Sequence, residues 1–204
     1  MANRGFFVCI EGLDGSGKST QARILAARLQ KNNNAVLTVE PSHGQIGTFL
    51  RESYLYGNRR LSGIVEALLF AADRVDHVQN EILPALEKGA FVVSDRYLYS
   101  SLAYQGAAGL SLDWIEKINS HAIRPDLALF LDAKLETVMQ RMKRRKSLME
   151  NLENQKRVLA IYNDLVKAGH LRRIDGNKSK NLVAEEIFSA VQGSMSSCSK
   201  RVLD

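Results

Sequence analysis

Phe6-Phe7-Val8-Cys9-Ile10-Glu11-Gly12-Leu13-Asp14-Gly15-Ser16-Gly17-Lys18-Ser19-Thr20 runs from an apolar stretch through a glycine-rich turn into a helical pattern. Gly12 to Ser19 keeps the spacing G-x-x-x-x-G-K-[ST]. The chemistry needs that spacing. Glycines let backbone N–H groups turn inward around a phosphate, and the helix start adds positive potential. Lys18 brings a full charge, and the Ser19 hydroxyl is a ligand for Mg²⁺. A chance glycine-rich turn would not sit between a buried strand and a helix. The stretch predicts a nucleoside triphosphate site.

Outward from this loop, strand candidates alternate with helical ones. Strands are expected at Phe6–Ile10, Ala35–Val39, Phe91–Ser94, Leu127–Leu131 and Leu171–Ile174. Helices are expected near Thr20–Lys31, Ile46–Tyr54, Ile64–Lys88, Ser100–Gly106, Leu112–Ser120, Leu135–Lys143, Leu152–Ala168 and Leu182–Val191. Asn32-Asn33-Asn34 and Lys88-Gly89 stop helices, and Arg124-Pro125-Asp126 opens a strand. The rhythm predicts an α/β fold of the P-loop NTPase kind, a three-layer sandwich with a five-stranded parallel sheet flanked by helices. Ligands in such sheets bind beyond the C-terminal strand ends. The 204 residues suit one domain, with a loose tail from about Gly193.

Composition narrows the partners. Apolar residues make up 45% of the chain, yet no run approaches a membrane span, and Phe6 opens a strand too early for a signal peptide. Cys9 and Cys198 do not make a disulfide framework. A cytoplasmic protein is expected. The net charge of +6 fits either nucleic acid or small polyanions. The basic residues are not interleaved with aromatics, which favours small polyanions and no nucleic acid.

Further residues carry phosphate and base chemistry. Asp95-Arg96-Tyr97 closes the third strand, so a carboxylate for Mg²⁺ and a bidentate donor for phosphate stand at one tip. Phe70 and Arg74 are four apart on a helix and share a face, an arrangement that suits a nucleobase, although a Phe at helical spacing is more often core. Ser100, Ser101, Tyr104 and Gln105 could line a sugar or base pocket, or supply only a helix cap. His43 reads as a solvated loop residue, and Arg51 as a phosphate contact or a solvated cation. Arg141-Met142-Lys143-Arg144-Arg145-Lys146 puts five cations in six residues, a solvated face or a closing lid.

Glu11-Gly-Leu-Asp-Gly-Ser-Gly-Lys-Ser-Thr20, Leu68-Leu-Phe-Ala-Ala-Asp-Arg74, Asp95-Arg-Tyr97 and Ser101-Leu-Ala-Tyr-Gln-Gly106 together resemble thymidylate kinases, from about Phe7 to Val191. The resemblance implies transfer of phosphate from ATP to dTMP with Mg²⁺, and a homodimer with the long helix near its interface. It implies a donor site of Gly12–Thr20, with Arg141 and with Asp175-Gly176-Asn177 at the adenine. Phe70 is implied to stack on thymine, Arg74 to donate to its carbonyl and Ser101 to meet the base edge. Arg96, helped by Arg51, is implied to hold the acceptor phosphate, and Tyr104 and Gln105 to lie near the deoxyribose. Asp14 is implied at the acceptor's sugar and metal shell, and Ser19 with Asp95 at Mg²⁺. Catalysis is then expected of Lys18, Asp14, Asp95, Arg96 and a lid arginine, Arg145 being best aligned. Two departures stand out. Val39-Glu40-Pro41-Ser42-His43 replaces the usual Arg-Glu-Pro-Gly-Gly, and the lid runs Arg145-Lys-Ser-Leu-Met-Glu150, as in archaeal members. Another nucleoside-monophosphate kinase, a deoxynucleoside kinase and a basic nucleic-acid-binding protein are the alternatives. A GTPase would need Asn-Lys-x-Asp, and Asn177-Lys178-Ser179-Lys180 lacks the Asp.

Overall fold

A computed structural model describes residues 4–55, 61–142 and 152–200. Its strands are β1 (Phe6–Glu11), β2 (Ala35–Val39), β3 (Phe91–Asp95), β4 (Leu127–Asp132) and β5 (Arg172–Asp175). All pair in parallel, in the order β2-β3-β1-β4-β5. The helices are α1 (Lys18–Leu29), α2 (Gln45–Phe49), α3 (Gly63–His77), α4 (Leu83–Glu87), α5 (Leu98–Ala107), α6 (Leu112–Ile118), α7 (Leu135–Met142), α8 (Leu152–Lys167) and α9 (Lys180–Lys200).

Strand β1 is apolar from Phe6 to Ile10 because both its faces are covered. Phe6, Val8 and Ile10 pack with Leu25, Leu29, Ile187 and Val191 of α1 and α9. Phe7 and Cys9 enter the opposite core with Leu102, Val158 and Tyr162 of α5 and α8. That two-residue alternation, buried on each side, is the signature of a central parallel strand. The edge strand β5 buries only Ile174.

Three expected elements differ. The single helix Ile64–Lys88 is broken by a wide π-helical turn over Val78–Ile82, because Pro84 lacks the N–H that a continuous helix would use. The helix Ile46–Tyr54 begins as α2 and widens to a π-helical turn over Leu50–Leu55 around the fully buried Leu50. The tail expected to be loose from Gly193 is instead the last part of α9, which reaches Lys200. Gly193 alone does not stop it, and Met195 still packs against the α1–α9 core.

Strands β1 and β3 are neighbours, but the chain leaves them in opposite directions, toward β2 and toward β4. A crevice opens at such a switch point. The register sets Ile10 and Val39 beside Asp95, so Gly12–Gly17, Glu40 and Arg96 all leave from one rim.

Candidate active site

A cleft of about 1150 Å³ fills that crevice. Gly15–Thr20 and Arg141 line one end, Phe70, Arg74, Ser101 and Gln105 the other, with Arg96 and Tyr104 between. Gly12 has φ +147°, and a Cβ there would come within 2.8 Å of the Leu131 carbonyl oxygen, so the turn requires glycine. Gly17, at φ 106°, caps α1 without a side-chain bond, leaving the first N–H groups of the helix for an anion.

Lys18 is 5% exposed. Its Nζ donates to the Leu13 carbonyl at 2.7 Å and lies 4.0 Å from Asp14. Burial, and then Arg96, lower its pKa to about 8 against the attraction of Asp14, Asp95 and Glu11. A polyanion would restore the charged form. The free site holds the proton only below about pH 8, while the charge of a bound polyanion would favour the proton, so binding is expected to weaken as pH rises above about 8. Triphosphate affinity is expected to be flat from pH 7 to 8, then to fall by up to about tenfold per pH unit. Calorimetric titration from pH 7 to 10 measures this, and a flat profile would contradict it.

Arg96 has φ 73°, the only positive value at a non-glycine among the described residues. Its Nη1 donates to Ser100 Oγ at 2.9 Å, and its Nη2 to Asp14 and to Tyr104 Oη, the latter at 3.3 Å. Tyr104 in turn accepts from the Asp14 N–H at 3.2 Å. Asp14, Lys18, Arg96 and Tyr104 thus form one polar group where the loop after β1 meets the loop after β3.

Phe70 is half-buried, lines the cleft and belongs to neither apolar core. It is therefore free to serve as a ring platform rather than core filling. Arg74 is 1% exposed. Glu40 Oε2 accepts from its Nε at 2.9 Å and its Nη2 at 2.7 Å, Ser101 Oγ accepts from Nη2 at 3.0 Å, and Asn119 Oδ1 accepts from Nη1. Of the five N–H donors of a guanidinium, one remains for a ligand. Gln105 Nε2 donates to Glu66 at 2.8 Å while its buried Oε1 has no partner in the structure. Arg51 donates to the Pro41 carbonyl, and its Nη2 is 3.4 Å from His43 Nδ1. Both line the cleft, and His43 is the exposed loop residue expected, placed at the cleft's edge.

Not every expected residue reaches into the cleft. Asp175 and Asn177 turn toward each other, Asn177 Nδ2 donating to Asp175 Oδ1 at 2.8 Å and Asn177 Oδ1 accepting from the Lys134 N–H at 2.8 Å. They hold the turn, while Gly176 and Lys178 line the cleft. Arg141 is exposed and its Nη1 donates to the Gly15 carbonyl at 3.0 Å. Arg144, Arg145 and Lys146 lie outside the described residues.

For a divalent cation, Asp95 supplies an acceptor oxygen, Oδ1, that is buried without a partner in the structure. Ser19, exposed on the same cleft, supplies a hydroxyl. A hard oxygen donor pair with room for phosphate oxygens fits Mg²⁺.

Glu11, Ser42, Asn119 and His77 carry much of the scaffold, although the local sequence assigns them no chemistry. Glu11 is fully buried and accepts from the Tyr97 N–H at 2.9 Å, the Ser100 N–H at 3.2 Å, Ser100 Oγ at 2.6 Å and Tyr162 Oη at 3.1 Å. It caps α5, whose own N-cap residue Tyr97 offers no side-chain bond. Burial raises its pKa, opposed by the Ser100 hydrogen bond and by Arg96. A carboxylate ending an otherwise apolar strand was the available signal. Ser42, in the departing segment, donates its Oγ–H to Asp73 at 2.6 Å and its N–H at 2.7 Å. The segment is thereby tied to α3.

Residues 10–187 match the protein-family profile described as thymidylate kinase. A protein described as a probable thymidylate kinase from Pyrococcus abyssi is 46% identical over 198 residues, covering 93% of this chain and 97% of that protein. One so described from Thermococcus gammatolerans is 42% identical, covering 92% and 96%, and one from Methanococcus maripaludis is 40% identical, covering 91% and 94%. With the phosphate loop, the Phe70–Arg74 wall and the Asp95-Arg96-Tyr97 tip on a single cleft, and this similarity along nearly the whole length, the chain belongs to the thymidylate kinase family.

Proposed function

We propose that the protein transfers the γ-phosphoryl group of ATP to dTMP, giving ADP and dTDP. The observation that carries this is the cleft itself: a phosphate loop at one end, an aromatic platform with a one-donor arginine at the other, and Arg96 between them. Its volume exceeds what one nucleotide needs.

Each group then has a task. The backbone of Gly12–Gly17, Lys18 and the start of α1 bind the donor phosphates, with Ser19 and Thr20 at their side. Gly176 and Arg141 flank the adenine end. Phe70 stacks on thymine, the spare N–H of Arg74 meets its 4-carbonyl, and Ser101 stands at the base edge. Tyr104 and Gln105 border the deoxyribose. Arg96 and Arg51 hold the acceptor phosphate, whose second pKa near ~6 leaves its oxygen ionised at neutral pH, so no general base is required. Asp14, which pairs with Arg96 in the free protein, is displaced toward the acceptor's sugar and metal shell. Ser19 and Asp95 would hold Mg²⁺, which supplies charge neutralisation between the phosphates when bound. Alignment and charge neutralisation do the rest. Arg145, with Arg141 and Arg144, is assigned to a lid that closes over the transferring group.

A deoxynucleoside kinase would need a carboxylate to deprotonate a hydroxyl. Glu40 is committed to Arg74 and His77, and Arg96 presents a guanidinium suited to a phosphate in the middle of the cleft, which favours a monophosphate acceptor. Coupled ADP-release assays with dTMP, dUMP, dCMP, AMP and thymidine test the assignment. dTMP is expected to be used and dCMP rejected, because its amino group meets the Arg74 donor. Phe70→Ala is expected to raise KM for dTMP roughly 5- to 150-fold, the equivalent of about 1–3 kcal/mol of stacking. Equal use of dCMP and dTMP would reject the assignment.

A homodimer through α3 and a cytoplasmic location complete the proposal. Ile64, Val65 and Leu68 are 54%, 43% and 46% exposed on one stretch of α3, an apolar face of the kind that marks an interface. Light scattering should give a dimer for the wild type and a monomer for Leu68→Arg. A monomeric wild type would reject this interface. Among the described residues no helix is long and apolar enough to cross a membrane.

A further inference from the structure

The geometry points to His77 as a positioning residue that fixes Glu40, and through Glu40 the guanidinium of Arg74, at the base end of the cleft. This role rests on the acceptor site proposed above.

Glu40, Arg74 and His77 are 4%, 1% and 2% exposed. Buried charge is costly, and replacing such a group by apolar side chains is often neutral or stabilising, so its presence asks for a reason other than stability. The bonding supplies one. Glu40 divides its oxygens: Oε2 takes both donors of the Arg74 edge, and Oε1 is 3.2 Å from His77 Nδ1. A carboxylate only accepts, so Nδ1 carries a proton. His77 Nε2 lies 2.6 Å from Thr38 Oγ1 and 3.4 Å from Glu81 Oε2. With Nε2 also protonated it donates to Thr38, whose hydroxyl proton is left for Glu81. Without His77, Glu40 could rotate about its last torsion and the Arg74 fork would lose its reference.

The groups facing His77 come from several elements. Thr38 stands on β2, Glu40 follows β2, and Glu81 lies on the wide turn after α3. Arg74 joins through Glu40, and Ser101 and Asn119 join through Arg74. Nearby, Cys9 and Tyr97 stay neutral, their pKa values raised by burial first and then by neighbouring carboxylates including Glu40. Burial opposes charge on His77, but hydrogen bonds to Glu40 and Glu81 and their attraction outweigh it and push the pKa up to about 9. The charged form is therefore complete at neutral pH and is lost as pH rises through about 9.

His77→Leu, His77→Asn and His77→Gln in the full chain test the role. The Asn amide nitrogen replaces Nδ1, and the Gln amide nitrogen replaces Nε2. His77→Leu is expected to raise KM for dTMP about tenfold or more, to leave KM for ATP within about twofold, and to increase relative use of dCMP. His77→Asn should restore most of the dTMP KM, and His77→Gln should not. Base selectivity of the wild type, a ratio in which Lys18 cancels, should hold to pH 8 and decline above 9. An unchanged dTMP KM, a parallel rise of both KM values, or equal behaviour of Asn and Leu would overturn the role. Should the leucine variant not fold, the Asn and Gln variants decide: equal dTMP KM values overturn it, and wild-type-like Asn with impaired Gln supports it. Wild-type turnover of dTMP, measured alongside, tests the acceptor assignment separately.

Discussion

Lys18→Ala is expected to lower kcat by at least about 10²–10³-fold, the scale for losing one preorganised charge-stabilising donor, with no loss of stability. The two halves of this expectation have one origin. In the free protein the ammonium is buried, and its pKa of about 8 means that the surroundings disfavour its charge. Its role becomes favourable only when phosphate oxygens replace the missing solvent. Removing it deletes the Leu13 hydrogen bond but also relieves that desolvation. The melting temperature at pH 7, where the charged form is imposed, should stay level or rise. Steady-state kinetics and thermal denaturation measure both quantities. Near-normal turnover in a folded variant would remove the phosphate-loop assignment. A collapse of stability would mean that Lys18 holds the loop together rather than waiting for a ligand.

Arg96→Gly should separate function from stability even more sharply. Arg96 sits at φ 73°, where a side chain costs about 1–2 kcal/mol. Backbone strain of this kind concentrates where a side chain must be aimed at a ligand. Glycine relieves the strain but loosens the unfolded chain by about 0.5–1 kcal/mol, and its loss of the Ser100 and Asp14 contacts draws in the same direction. Stability should therefore change little, while kcat/KM for dTMP falls by about 10²–10³-fold. Arg96→Ala keeps the strained backbone without the guanidinium, and should be equally inactive yet about 1 kcal/mol less stable than the glycine variant. A glycine variant about 0.5–1 kcal/mol less stable than the alanine variant would show that the backbone at this tip carries no strain. Substantial activity in either would release Arg96 from the acceptor phosphate.

The legible parts of the molecule share a property. The phosphate loop is read from contiguous residues because it is a backbone conformation that closely spaced glycines permit. The alternation of strands and helices is local as well, set by periodicity and by stop signals such as Asn32-Asn33-Asn34. The length of α9 and the break before Pro84 were harder. A serine-rich helix end depends on what it packs against, and Pro84 is tolerated in a first helical turn and refused one turn later. Asp175 and Asn177 show a further limit: polar side chains in a turn satisfy one another before they reach a ligand.

By itself the sequence determined a parallel α/β sheet, a phosphate-binding end between β1 and α1, and a Phe70–Arg74 pair on one helical face. These follow from spacing along one strand, one turn or one helix. Only the tertiary structure decided what the buried charges do. Glu11 meets Ser100 and Tyr162, Arg74 meets Glu40 and Asn119, and His77 meets Thr38 and Glu40, in each case across dozens of residues or more. A charge removed from water must find partners, and no local pattern says which distant residues those are. The folded sheet chooses them by bringing the ends of β1, β2 and β3 to one rim, so that Arg74 is left with a single unused donor at the cleft and Phe70 with a half-buried ring on its wall.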